Sequence, residues 1–145
     1  MSADLTEYAL LQAKYESGMK RVVPSFKKNY GKYLGSGSGE ITGKVSGSVA
    51  WDLYEEQSDP VVHVTQFVGR ITAPDHSKID FETTGFFIPR QADQAFWDLT
   101  SSIRFYDAKG QTYHDLAGKI GVWEGAVHIA GDNFTHTYKI YVPGQ

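Results

Sequence analysis

The chain has 145 residues, 14 of them basic and 17 acidic, for a formal charge of −3; that is enough for one domain and too little for two well-packed ones. Hydrophobic residues at 41% and charged residues at 21% supply a core and exclude chain-wide disorder, while the lack of cysteine excludes disulfides, thiolate nucleophiles and Cys-bound zinc or iron–sulfur centres. No basic run exceeds Lys20-Arg21 or Lys27-Lys28, so there is no broad cationic face for a nucleic acid. The start has neither the basic flank nor the apolar run of a secretory signal, and no stretch reaches the ~20 apolar residues of a membrane-spanning helix. These features lead us to expect a soluble, cytoplasmic protein with no nucleic-acid or membrane partner.

Eight Phe, nine Tyr and three Trp beside fifteen Gly and only two Met describe a chain suited to sheets. Residues 4–16, around Tyr8, Leu10, Leu11 and Tyr15, read as an opening strand, with a capped helix as the alternative. Residues 31–47 are dense in glycine and serine and look like a linker, yet Tyr30, Tyr33, Leu34, Ile41 and Val45 call for burial. A boundary there would leave about thirty residues upstream, too few for a core. The segment is therefore expected to be glycine-rich strand and turn inside one sheet.

From Val45 the alternation is regular, with Val49, Trp51 and Leu53 opposed to Ser48, Ala50 and Asp52. Gln57-Ser58-Asp59-Pro60 reads as a turn, residues 61–72 as a β-branched strand with apolar residues on both faces, and 73–77 as the next turn. Residues 78–88 place Ile79, Phe81, Thr83, Gly85 and Phe87 on one face and Asp80, Glu82 and Thr84 on the other, with Arg70 and Glu82 expected to pair across the hairpin. A short helix is expected over 90–99, around Ala92, Phe96 and Trp97. Strands at 101–106 and 111–116 would flank Ala108-Lys109-Gly110, and strands at 122–130 and 134–142 would flank Gly131-Asp132-Asn133. Seven to nine short antiparallel strands with little helix close most economically into a single all-β, up-and-down β-barrel of about eight strands, since closure removes exposed edges. A sandwich is the alternative.

The segments Gly37-Ser38-Gly39-Glu40-Ile41-Thr42-Gly43, Gly47-Ser48-Val49-Ala50-Trp51-Asp52 and Asp75-His76-Ser77-Lys78-Ile79-Asp80-Phe81, with Gly85, resemble a family of small bacterial calycin-like barrels, domain of unknown function thirty-two thirty-seven. That family's pattern places an Asp before the tryptophan and an Arg on the next strand. Here Ala50 and Val68 stand at those places, so a polar site of the family would be altered. Residues 116–125, through Leu116, Gly118, Gly121, Trp123 and Gly125, also look like the glycine-spaced strands of allene oxide cyclase and dirigent-type barrels. Both resemblances imply a barrel with a ligand-sized lumen, and neither specifies a reaction.

Phosphate loops, paired-His helix motifs, nucleophile elbows and calcium loops are absent from the sequence, and no cofactor is expected. The most suggestive constellation lies on the last two strands. A three-residue loop at Gly131-Asp132-Asn133 sets Ala130 opposite Phe134 and His128 opposite His136, and alternation then adds Glu124 and Tyr138 to the same face. Two imidazoles, a carboxylate and a phenol suit acid–base chemistry. A two-residue loop would shift the register and dissolve the pairing.

His63 is in phase with Phe67 and Ile71; with Trp51, Phe67, Phe81, Phe87, Phe105 and Trp123 it forms the candidate substrate-binding set. Metal binding by His63, His128 and His136 is not expected, because three dispersed histidines carry no ligand spacing. The leading expectation is a cofactor-free lyase, isomerase or cyclase acting on a small hydrophobic substrate, with His136, Tyr138, His128 and Glu124 moving protons. The alternatives are a lipocalin-like carrier of a small hydrophobic ligand and a structural subunit. A homodimer is expected because residues 61–72 and 134–142 carry apolar side chains on both faces while a barrel has one interior.

Overall fold

A computed structural model of the chain describes residues 5–23, 31–57, 62–93, 95–109, 113, 116–130 and 133–143. Eight strands form one closed antiparallel barrel in sequence order: β1 (Leu5–Val23), β2 (Gly31–Gly43), β3 (Gly47–Gln57), β4 (His63–Thr72), β5 (Lys78–Pro89), β6 (Phe96–Lys109), β7 (Ile120–Ala130) and β8 (Asn133–Pro143). Closure comes from β1 pairing with β8, Leu11 opposite Tyr138 and Ala13 opposite His136. The opening segment is thus a strand, longer than its sequence suggested. The glycine-serine run is strand β2, paired residue for residue with β3 from Gly31–Gln57 to Ile41–Gly47. No helix among the described residues is long and apolar enough to cross a membrane.

The short helix expected over 90–99 is not formed. The Asp93 carboxylate accepts from the Ala95 N–H at 3.0 Å and the Arg90 N–H donates to the Phe96 carbonyl at 2.9 Å, which turns the chain directly into β6. Inward Trp97, Leu99, Ser101, Ile103 and Phe105 are spaced by two, and that period governs the strand back to Phe96. Nor is there a turn at Ala108-Lys109, because β6 runs through Lys109. Of the strand expected at 111–116, Tyr113 and Leu116 lie in turn and 3₁₀ structure, and the rest falls outside the described residues. Also outside them are Tyr30, the turn residues Ser58, Asp59 and Pro60, and the loop residues Gly131 and Asp132.

Alternation divides each wall into a mostly apolar, buried face and an exposed one. Ile79, Phe81, Thr83, Gly85 and Phe87 are buried while Thr84, Phe86 and Ile88 between them are exposed. Glycine on one strand makes room for a ring on the next. A Cβ at Gly69 would stand 2.9 Å from Cε1 of the Phe81 ring, and one at Gly125 would run into the Thr137 carbonyl and lie 2.8 Å from the Tyr138 ring. One end of the barrel is filled by Tyr8, Val45, Ala73, Leu116 and Val142, all buried. The opposite end, where β3 joins β4, β5 joins β6 and β7 joins β8, is lined by half-buried Trp97, Ile129 and Phe134.

Gly125→Ala is expected to destabilise the barrel by about 1–3 kcal/mol, the usual range for overpacking, with the secondary structure retained. Urea denaturation followed by tryptophan fluorescence measures it, and an unchanged midpoint would contradict the close approach of β7 to β8.

Candidate functional site

Phe67 on β4 is the hub of the interior. Its ring stacks on Trp123 (centroids 5.6 Å) and meets Trp51, Phe87, His136 and Tyr138 edge-on at 5.7, 6.1, 6.4 and 6.3 Å. Phe81 tilts against Trp123 at 5.5 Å, and Phe105, opposite Phe81 across β5 and β6, is buried beside it. The six aromatic members of the candidate binding set are therefore inside and packed on one another. They form a solid floor across the barrel, and the seventh member, His63, is half-buried toward the end where β3 joins β4, against Trp97 at 4.7 Å.

The four-residue acid–base set is divided by the wall. β7 and β8 pair Ala130 with Asn133, leaving a two-residue loop, so His128 faces Thr135 and Val127 faces His136. His136 and Tyr138 point inward and are buried, with His136 Nδ1 hydrogen-bonded to the Tyr138 hydroxyl. His128 and Glu124 point outward: His128 stacks on Phe96 at 4.6 Å, and Glu124 is opposite Lys139 on the solvent side. The expected pairing of His128 with His136 is thus incorrect, for the register reason that a two-residue loop imposes. Burial pushes the His136 imidazole down to a pKa of about 3, so it is neutral at ordinary pH.

A second polar group lies inside and includes a residue the sequence did not single out. Glu55 continues the inward phase of Val49, Trp51 and Leu53, and that parity was the available signal. Its Oε2 stands 3.3 Å from His63 Nδ1, with side-chain exposures of 3% for Glu55 and 11% for His63. Glu55 is opposite Thr65, Thr65 opposite Gly85, and Gly85 opposite Ser101, so one row crosses β3 to β6 with Gly85 as a gap in it. His63 Nε2, Thr65 Oγ1 and Ser101 Oγ are buried and have no hydrogen-bond partner among the described residues; the same holds for Trp51 Nε1, Trp123 Nε1 and His136 Nε2 in the floor, and Glu55 Oε2 has only its contact with His63. Thr83, by contrast, accepts the Phe67 N–H at 3.2 Å. No group of three His, Asp or Glu among the described residues could hold a metal ion.

On the outer wall Arg70 pairs with Asp80 (2.6 Å), its register partner, and not with Glu82. Glu82 instead binds Tyr106 and Gln66, and Arg104 lies 3.6 Å away. The Tyr106 hydroxyl, with help from Gln66 and Arg104, holds the Glu82 carboxyl below its ordinary value.

No protein-family model and no curated protein sequence matches the chain. Solved structures do. The chain is similar to a β-barrel-like protein from Acinetobacter baumannii AYE (TM-score 0.75, 10% identity, 97% of each chain covered). It is similar as well to a protein of unknown function from Clostridium acetobutylicum ATCC 824 (0.74, 13% identity, 97% of this chain and 99% of that one). A third likeness is to a conserved protein of unknown function from Rhodopseudomonas palustris (0.71, 11% identity, 97% and 99%). At such identities what is shared is the fold, a small β-barrel.

The buried His136 has a consequence for stability. Its folded pKa of about 3 lies below the ordinary 6.5, so the unfolded chain binds a proton that the folded one excludes. The contribution is complete above about pH 6.5 and is lost as the pH falls toward 3, by up to about 1.4 kcal/mol per pH unit. Glu82, below its ordinary 4.5, titrates under most of that window. Urea denaturation between pH 7 and about 5 should therefore show falling stability in the wild type and a flatter profile in His136→Leu.

Proposed function

We propose that this protein binds a small, largely apolar molecule at the end of its barrel lined by half-buried Trp97, Ile129 and Phe134, above the aromatic floor. The observation that carries this reading is a set of buried polar atoms with no hydrogen-bond partner among the described residues, His63 Nε2, Thr65 Oγ1 and Ser101 Oγ, beside Glu55 Oε2, which meets only His63 Nδ1 at 3.3 Å. Leaving such groups unmade costs roughly 1–3 kcal/mol each, and a ligand that reaches them recovers the loss. A mostly apolar lining with a few convergent polar groups is the ordinary make-up of a small-molecule site.

Proton transfer is the second reading, favoured by the contact between His63 and Glu55, a carboxylate beside an imidazole. For a lyase, isomerase or cyclase it moves the working base from the neutral, deeply buried His136 to His63. His128 and Glu124 take no part in it, being outside.

Binding is tested by titrating the protein with naphthol and following tryptophan fluorescence. Saturable quenching is expected, weakened about tenfold or more by Trp97→Ala, as for an aromatic anchor worth ~2 kcal/mol. Absence of any saturable change would refute the proposal. Should a substrate be found, His63→Gln is expected to lower turnover by about 10²- to 10⁴-fold with binding retained.

A homodimer is proposed on narrower grounds than the sequence suggested. On β8 the outward residues are exposed Thr135, Thr137 and Lys139, so that strand offers no second apolar face. Val64, Phe86 and Ile88 on β4 and β5 are 39%, 50% and 44% exposed, and Val64 is opposite Phe86. Sedimentation equilibrium should give a dimer that Phe86→Asp converts to a monomer.

A further inference from the structure

Four features set the chemistry of the polar end of the lumen. First, four of the buried polar atoms without a hydrogen-bond partner among the described residues can accept one, a carboxylate oxygen, an imidazole nitrogen and two hydroxyl oxygens, while the indole N–H groups of Trp51 and Trp123, also without partners, belong to the aromatic floor. Second, Glu55 is 5% exposed and its Oε2 meets His63 Nδ1 at 3.3 Å without a well-formed hydrogen bond among the described residues, and a buried carboxylate is the group least able to go without full partners. Third, no Lys or Arg among the residues with described side chains is buried inside the barrel; the buried polar residues are Glu55, Thr65, Ser77, Thr83, Ser101 and His136. The titratable neighbours of Glu55 are His63, 3.3 Å away, and, by register alone, Tyr33 on β2 and Arg21 on β1. Fourth, the surroundings are aromatic, with the Trp97 ring against His63 and Phe87 opposite His63 across β4 and β5.

From the buried Glu55 carboxylate, whose Oε2 has only the 3.3 Å contact with His63 among the described residues, set beside Thr65 in an aromatic lumen, we infer that the ligand is a primary amine on an aromatic body, bound as its ammonium ion with Glu55 as counter-ion. This specifies the binding reading given above and rests on it. An ammonium offers three donors and no acceptor, which matches a carboxylate oxygen, a hydroxyl and an imidazole nitrogen. Aromatic faces add cation–π attraction, which is larger in a desolvated site.

The test is isothermal titration of the whole chain at neutral pH with four probes of similar size: phenethylamine, phenethyl alcohol, hydrocinnamate and propylbenzene. Phenethylamine is expected to bind about tenfold or more tighter than phenethyl alcohol, hydrocinnamate weakest. In Glu55→Gln the amine should lose its advantage over the alcohol. Equal binding of amine and alcohol by the wild type overturns the inference without any variant, and so does an advantage that survives Glu55→Gln. Tighter binding of hydrocinnamate overturns it as well, because a cation would then dominate the lumen. In each of those cases the binding reading stands. If none of the four binds, propylbenzene included, the binding reading fails with it.

Discussion

Eight strands closed on themselves enclose a space about one layer of side chains wide, and every inward position must fit that width. The barrel meets the constraint by alternation between neighbours, with the Phe81 ring over Gly69 and the Tyr138 ring over Gly125. The arrangement lets Phe67 touch five other rings at centroid distances of 5.6 to 6.4 Å, so that the floor is a single aromatic unit. Its edge contacts and stacking fix the orientation of His136 and Tyr138, which are part of the same layer.

The closed wall also decides which polar groups can act together. A carboxylate or imidazole one residue out of phase is on the other side of a sheet and reaches nothing inside. Glu124 and His128 are lost to the lumen in this way, and Glu55, with the parity of Trp51, is gained. Charges outside are handled differently: Arg70 with Asp80, Arg90 with Asp98 and Arg104 near Glu82 are solvent-screened pairs of small net value. Inside, the same chemistry is costly unless completed, which makes the polar end of the lumen the place where a ligand would change the energy most.

The two halves of the interior accordingly do different work. Toward Tyr8, Val45 and Leu116 the space is apolar and filled, and it secures the closure of β1 on β8. Toward Trp97 and Phe134 burial is partial, and several polar atoms, His63 Nε2, Thr65 Oγ1 and Ser101 Oγ, have no hydrogen-bond partner among the described residues.

Much of this was legible in the sequence, and the limit has a physical cause. Alternation of period two is local, so the inward phase of Trp51, Phe67, Phe81, Phe87, Phe105 and Trp123 followed from spacing, as did an all-β barrel from strand number and turn spacing. The inward parity of Glu55 was equally visible in its spacing from Leu53, although a polar residue at an apolar phase is easily passed over. The short segment 90–99 misled because three apolar residues fit a helical period nearly as well as a strand, and only pairing with β5 and β7 selects between them. Register is not local. Whether His128 or Val127 meets His136 depends on one residue in the loop between β7 and β8, and the closed sheet sets that loop by requiring each strand to pair on both sides. The sequence by itself determined that aromatic rings would fill a barrel; the tertiary structure decided which imidazole stands beside which acid, because side chains on separate strands meet only through register.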